Sequence, residues 1–82
     1  MDAEIRLSEG AYDDYHLARP LLESDGLIVT WFCPMTHNRR IVYHVGVRGE
    51  PDVRALAADA VARVNSVFPG CAELIAAENE TP

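Results

Sequence analysis

Five side chains in this 82-residue sequence could ligate a soft metal or support thiol chemistry: His16, Cys33, His37, His44 and Cys71. Imidazole and thiolate together suit zinc, and Cys33-x-x-x-His37 has workable spacing for two ligands of a tetrahedral site. Cys33 with a nearby histidine could instead form a nucleophile and its base, provided the thiol is exposed in an electropositive setting. Asp13-Asp14, just ahead of His16, could serve as acid and base. None of these groups belongs to a longer motif. A glycine-rich phosphate loop, a serine elbow and a cleft of paired acids are all missing from the sequence. The expectation is a protein that is not an enzyme and holds no metal or other cofactor.

The stronger signal is charge. Residues 27–48, LIVTWFCPMTHNRRIVYHVGVR, hold Arg39, Arg40 and Arg48, no carboxylate, the only tryptophan (Trp31) and two of the three histidines. The flanks have the opposite sign: residues 1–26, 27–48 and 49–82 carry formal charges of −5, +3 and −4. Segregation of this kind points to a surface that meets a partner.

The overall net charge of −6 disfavours direct nucleic-acid binding, which draws most of its affinity from phosphate neutralisation. Every basic residue apart from histidine is an arginine. MDAEIRLSEG does not read as a secretory signal, and no apolar run is long enough to span a bilayer, so the expected setting is cytoplasmic, away from membranes. In a reducing compartment Cys33 and Cys71 are expected as small buried residues. Nearly half the chain is apolar (49%), as suits one small folded domain over residues 1–82.

Local pattern places the elements. Ala3, Ile5 and Leu7 alternate with charged residues, predicting a short half-buried strand. Residues 11–19 are ambiguous, because Tyr12, Tyr15, His16 and Arg19 share helical spacing while Pro20 opposes a continuing helix. An edge strand ending near Leu22 is preferred, with Glu23-Ser24-Asp25-Gly26 as a turn. Residues 27–33 and 40–47 form the central hairpin, rich in Val, Ile, Tyr and Trp, around Thr36-His37-Asn38. Centring the loop on His37 pairs residues whose numbers sum to 74. That register puts Leu27, Val29, Trp31, Cys33, Ile41, Tyr43, Val45 and Val47 on a core face. Ile28, Thr30, Phe32, Arg40, Val42, His44 and Gly46 then share the other face. It also separates Cys33 from His44, which argues against the zinc site.

An amphipathic helix covers about residues 51–68, with Glu50-Pro51-Asp52 at its start and Pro69-Gly70 at its end. Cys71, Leu74 and Ile75 suggest a further helical turn or two, followed by a frayed tail over residues 78–82. These elements define an α+β two-layer domain: an antiparallel sheet of three or four strands with one long helix on one face.

A single helix leaves the second sheet face open. Phe32, Arg39, Arg40 and His44 form one candidate contact group, since aromatics and arginine are enriched at interfaces. The acidic N-terminal third, including Asp13 and Asp14, forms the other. The resulting expectation is a small acidic protein-binding module, an adaptor, regulator or inhibitor of the phage-inhibitor type. Its partner would be a protein with a basic surface, such as a nucleic-acid groove that the carboxylates occupy as phosphates would. The alternatives are a self-associating homodimer subunit and, third, a small zinc protein using Cys33 and His37.

Overall fold

The computed structural model describes residues 1–78 and, at His37, the backbone. The chain runs β1 (Asp2–Leu7), α1 (Glu9–Asp13), α2 (Tyr15–Leu22), β2 (Ile28–His37), β3 (Arg40–Arg48), α3 (Val53–Val67) and β4 (Ala72–Ala77). The four strands form one antiparallel sheet in the order β2-β3-β1-β4. The helices pack on one face, giving the two-layer α+β architecture expected from the sequence. The tail expected to fray falls, apart from Glu78, outside the described residues.

β1 follows its alternation. Ile5 and Leu7 are completely buried and Ala3 nearly so, while Asp2, Glu4 and Arg6 take the opposite face. Opposite β1, Val45 and Val47 of β3 are also fully buried. Against them the helical layer sets Ala11, Ala18, Leu22, Val53, Ala57, Ala60 and Val64. Fully burying one Val, Leu or Ile stabilises by about 1.5–3 kcal/mol, so this shared core outweighs every exposed ion pair on the sheet.

Residues 11–22 are helical, which corrects the expected edge strand. Ala11, Tyr15, Ala18 and Leu22 recur at helical spacing; three are fully buried and Tyr15 packs against the core. Pro20 lies inside α2 and removes the N–H that would reach the His16 carbonyl. Both His16 and Pro20 are exposed, where water can satisfy that carbonyl and the loss is tolerable. The chain kinks at Asp14, whose carbonyl accepts the N–H groups of Leu17 and Ala18 at 2.8 and 3.1 Å. Arg63 of α3 ties the end of this segment down, donating to the Leu21 carbonyl at 2.8 Å and to Asp25 at 3.0 Å.

α3 starts two residues later than expected, with Pro51 outside the helix. Asp52 is the N-cap, its carboxylate accepting the Ala55 N–H at 3.2 Å, one of the first-turn donors left without an intrahelical partner. Residues 72–77 form β4, not further helical turns. Asn65 of α3 fixes where this strand begins. Its side-chain amide donates to the Ala72 carbonyl at 3.1 Å and accepts the Ala72 N–H at 2.9 Å. Ile75 is an extra residue in the ladder between Leu74, opposite Ile5, and Ala76, opposite Glu4.

The hairpin register also departs from the expected one. The turn is Asn38-Arg39, both with positive φ (51° and 65°), the geometry favoured for a two-residue hairpin loop. Phe32 therefore faces Val45, Cys33 faces His44, and Trp31 faces Gly46. The ladder shifts between Val29 and Trp31, leaving Thr30 as a bulge. Beyond it, odd-numbered residues of β2 lie on the face opposite to the one that simple alternation from Val29 would give.

Candidate functional site

The bulge rearranges the proposed contact residues. Phe32 turns to the helix side, where its ring centroid lies 5.2 Å from both Tyr15 and Tyr43. Tyr12 completes the aromatic group at 4.5 Å from Tyr43. Trp31 and Cys33, expected in the core, are exposed on the face that no helix covers. Arg40 and His44 share that face with them. Phe32 and His44 are therefore on opposite sides of the sheet.

The open face has two halves. Its β2 side is apolar: Ile28, Trp31 and Met35 are 58, 48 and 48% exposed, with Cys33 among them. Residues 28–36 include no charged side chain, an unusual composition for an edge strand, where charge ordinarily discourages unwanted pairing. The edge is blunted in other ways. Counting outward from the two-residue turn, Pro34 occupies a position whose backbone faces away from β3, so a missing N–H interrupts the free edge. The bulge at Thr30 interrupts it again.

The centre of the face is a ladder of ion pairs and one histidine–carboxylate hydrogen bond. Arg48 donates from Nε to Asp2 at 2.8 Å, and the His44 Nδ1–H donates to Glu4. Arg6 pairs with Glu73 and Arg40 with Glu9. The hydrogen bond and charge of Arg48 hold the Asp2 carboxyl below its ordinary value, and Asp2 in turn raises the Arg48 guanidinium. On the helical side, Glu23 pairs with Arg19 and Asp25 with Arg63. Most of the N-terminal acids expected to form a phosphate-like surface are thus engaged within the chain. Asp13 and Asp14 are exposed on the helical layer, and Arg39 is exposed at the hairpin turn.

Among the described residues, hollows open at two places on this face. One, of about 250 Å³, is lined by Trp31, Asp2, Ala3, Glu4, Ala76, Ala77 and Glu78. The indole reaches it by lying across Gly46: a Cβ added there would come within 2.1 Å of Trp31 Nε1. The other, of about 260 Å³, lies between Arg6, Ser8, Glu9, Asn38, Arg40 and Val42, and its charges are of both signs.

Cys33 and His44 are directly opposite one another across β2 and β3, overturning their expected separation on two faces. Among the described residues no group of three or more His, Cys, Asp and Glu side chains is placed to hold a metal. The His37 side chain, the other half of the Cys33–His37 zinc reading, lies outside what is described. Among the described residues no helix is long and apolar enough to cross a membrane. The residue that sequence reasoning missed is Trp31. Its signal was Gly46, an isolated glycine inside a strand, which commonly marks close approach of another group.

Neither a family model, nor a curated protein, nor a solved structure matches this chain.

Proposed function

We propose that the protein is a small protein-binding module that engages its partner through the open sheet face. The observation that carries this reading is the apolar strip of Ile28, Trp31, Cys33 and Met35 beside a polar ladder of side chains bonded across the strands. Such a surface combines a large aromatic anchor with a polar border, the anatomy of an interface core and rim. A partner with a basic surface suits the net charge of −6, and an adaptor, regulator or inhibitor role follows from a binding face without an accompanying catalytic constellation. Arg40 and His44 belong to this face, while Phe32 supports it from beneath. Binding at a basic nucleic-acid groove would then rest on the open face, with Asp13 and Asp14 contributing only from the helical layer.

The test is affinity capture from the source lysate followed by native mass spectrometry, with Ile28→Glu and Met35→Glu run in parallel. Both side chains are about half exposed, so the substitutions leave the core intact. A stoichiometric complex formed by the wild type and lost in both variants is expected. A complex that survives both would exclude the open face.

A second reading, self-association, is favoured by one observation: an uncharged edge strand presents no like-charge repulsion to its own copy. A doubled mass for the isolated protein, abolished by Met35→Glu, would promote it.

A further inference from the structure

The geometry points to the hollow beside Trp31 as a receptor for one arginine side chain of a basic partner protein. This rests on the open-face reading above and adds what the face recognises. The hollow has an aromatic wall, an alanine floor and a carboxylate rim. Trp31 supplies the wall, reaching across Gly46, where any larger residue would displace it. Ala76, opposite Glu4, supplies the small apolar floor, Ala3 and Ala77 bound the hollow while their side chains turn to the helical core, and Asp2, Glu4 and Glu78 supply the acids.

Charge selects the occupant. Among the described residues no cationic side chain lines the hollow. Arg48 stands just outside, bonded to Asp2 and drawn on electrostatically by Glu78 and Glu50, so one guanidinium answers several carboxylates. Glu4 receives a ring N–H from His44, which uses one of its acceptor sites and leaves others. An anion would meet this rim unfavourably, and a neutral apolar group would leave the carboxylates unanswered.

Shape then distinguishes among cations. Indole is the strongest cation–π partner among the aromatic side chains. A planar guanidinium can lie against its face while its N–H fork reaches carboxylates at the edge, which an ammonium point charge does less well. The apolar floor suits the methylene stem of an arginine entering from solvent.

The test uses ¹⁵N-labelled protein titrated with acetyl-Gly-Arg-Gly-amide and, separately, with the citrulline tripeptide, which keeps the shape and loses the charge. Saturable shifts confined to the Trp31 indole N–H and the amides of residues 2–4 and 76–78 are expected. The citrulline peptide should bind at least tenfold more weakly. Glu78→Gln and Trp31→Leu should each weaken arginine binding severalfold, and Glu78→Gln leaves the Glu4–His44 pair untouched should a change at Glu4 disturb folding. Equal binding of the two peptides, or non-saturating shifts spread over Asp13, Asp14, Asp52 and Asp59, would overturn the assignment. So would unchanged affinity in Trp31→Leu.

Failure here is distinguishable from failure of the open-face reading. A partner complex lost in Ile28→Glu and Met35→Glu, with no arginine bound in the hollow, retains the face and removes this receptor. Arginine bound in the hollow, with a partner complex indifferent to both variants, does the reverse.

Discussion

Tyr15 and Trp31 show how differently two aromatic residues are held. Tyr15 is wedged among Tyr43, Phe32 and the core, and its buried hydroxyl has no hydrogen-bond partner among the described residues. Leaving a buried polar group unpaired costs about 1–3 kcal/mol. Tyr15→Phe is therefore expected to be neutral or stabilising by about 1 kcal/mol, as read by urea unfolding. Burial also pushes the Tyr15 phenol above its ordinary value of 10.0. Ionisation thus favours the unfolded chain: the stabilisation is intact below pH 10 and declines as pH rises towards the folded value. Tyr15→Phe should remove that part of the alkaline loss, measurable from denaturation midpoints across this range. Trp31 is instead held from outside the core, by contact with Gly46. Gly46→Ala should lift the indole off the sheet, shifting its emission to longer wavelength. Because the ring can rotate into solvent, the stability change should stay below the ~1–3 kcal/mol typical of an overpacked core.

The elements were legible where one physical signal acted alone. Strict alternation marked β1, and apolar spacing at i, i+3 and i+4 marked α3. They were obscured where two signals competed. Across α1 and α2, the helical spacing of Ala11, Tyr15, Ala18 and Leu22 outweighed a proline whose lost hydrogen bond falls on the solvent side. In β4, Cys71, Leu74 and Ile75 imitate a helical stripe because the extra residue at Ile75 breaks the two-residue period. The hairpin strands were recognisable, but their register depended on a two-residue turn and a bulge. Neither feature leaves a compositional mark, and each changes which side chains face the core. The candidate site inherited that error: Trp31 and Cys33 exchanged faces with Phe32, while Arg40 and His44 kept theirs. Arg39 carries a remaining local cost, since a non-glycine residue with φ of 65° is strained by roughly 1–2 kcal/mol. Arg39→Gly would complete the Asn-Gly pair preferred by this turn. It is expected to raise stability by about 1 kcal/mol, detectable as a higher urea midpoint at unchanged slope.

Across the whole molecule, the charge blocks of the sequence are resolved by strand order. The acidic first strand lies beside the basic third, so Asp2 meets Arg48 and Glu4 meets His44. Segregation along the chain therefore becomes neutralisation across the sheet. Part of the pattern that first suggested a contact surface is accounted for by the protein's own ladder, which leaves the uncharged strip of β2 and the acids beside Trp31 to a partner. Sequence could show that acids and bases were apart in number but not that antiparallel pairing would join them.

The same topology places the start of β1 beside the end of β4. Ala3 pairs with Ala77, and the Glu78 N–H reaches the Asp2 carbonyl at 2.8 Å. A short glycine-rich linker from Glu78 to Asp2 would close this pair as an ordinary hairpin. The chain could then be reopened at the exposed Asp25-Gly26 turn. Such a circular permutant should unfold cooperatively and retain the emission of Trp31, because the contacts that define the sheet do not depend on the order in which the strands are connected. The ion pair of the Met1 amino group with Glu50 would be lost without breaking the ladder. Among the described residues, the order of the elements along the chain is thus one of several that the same set of contacts permits.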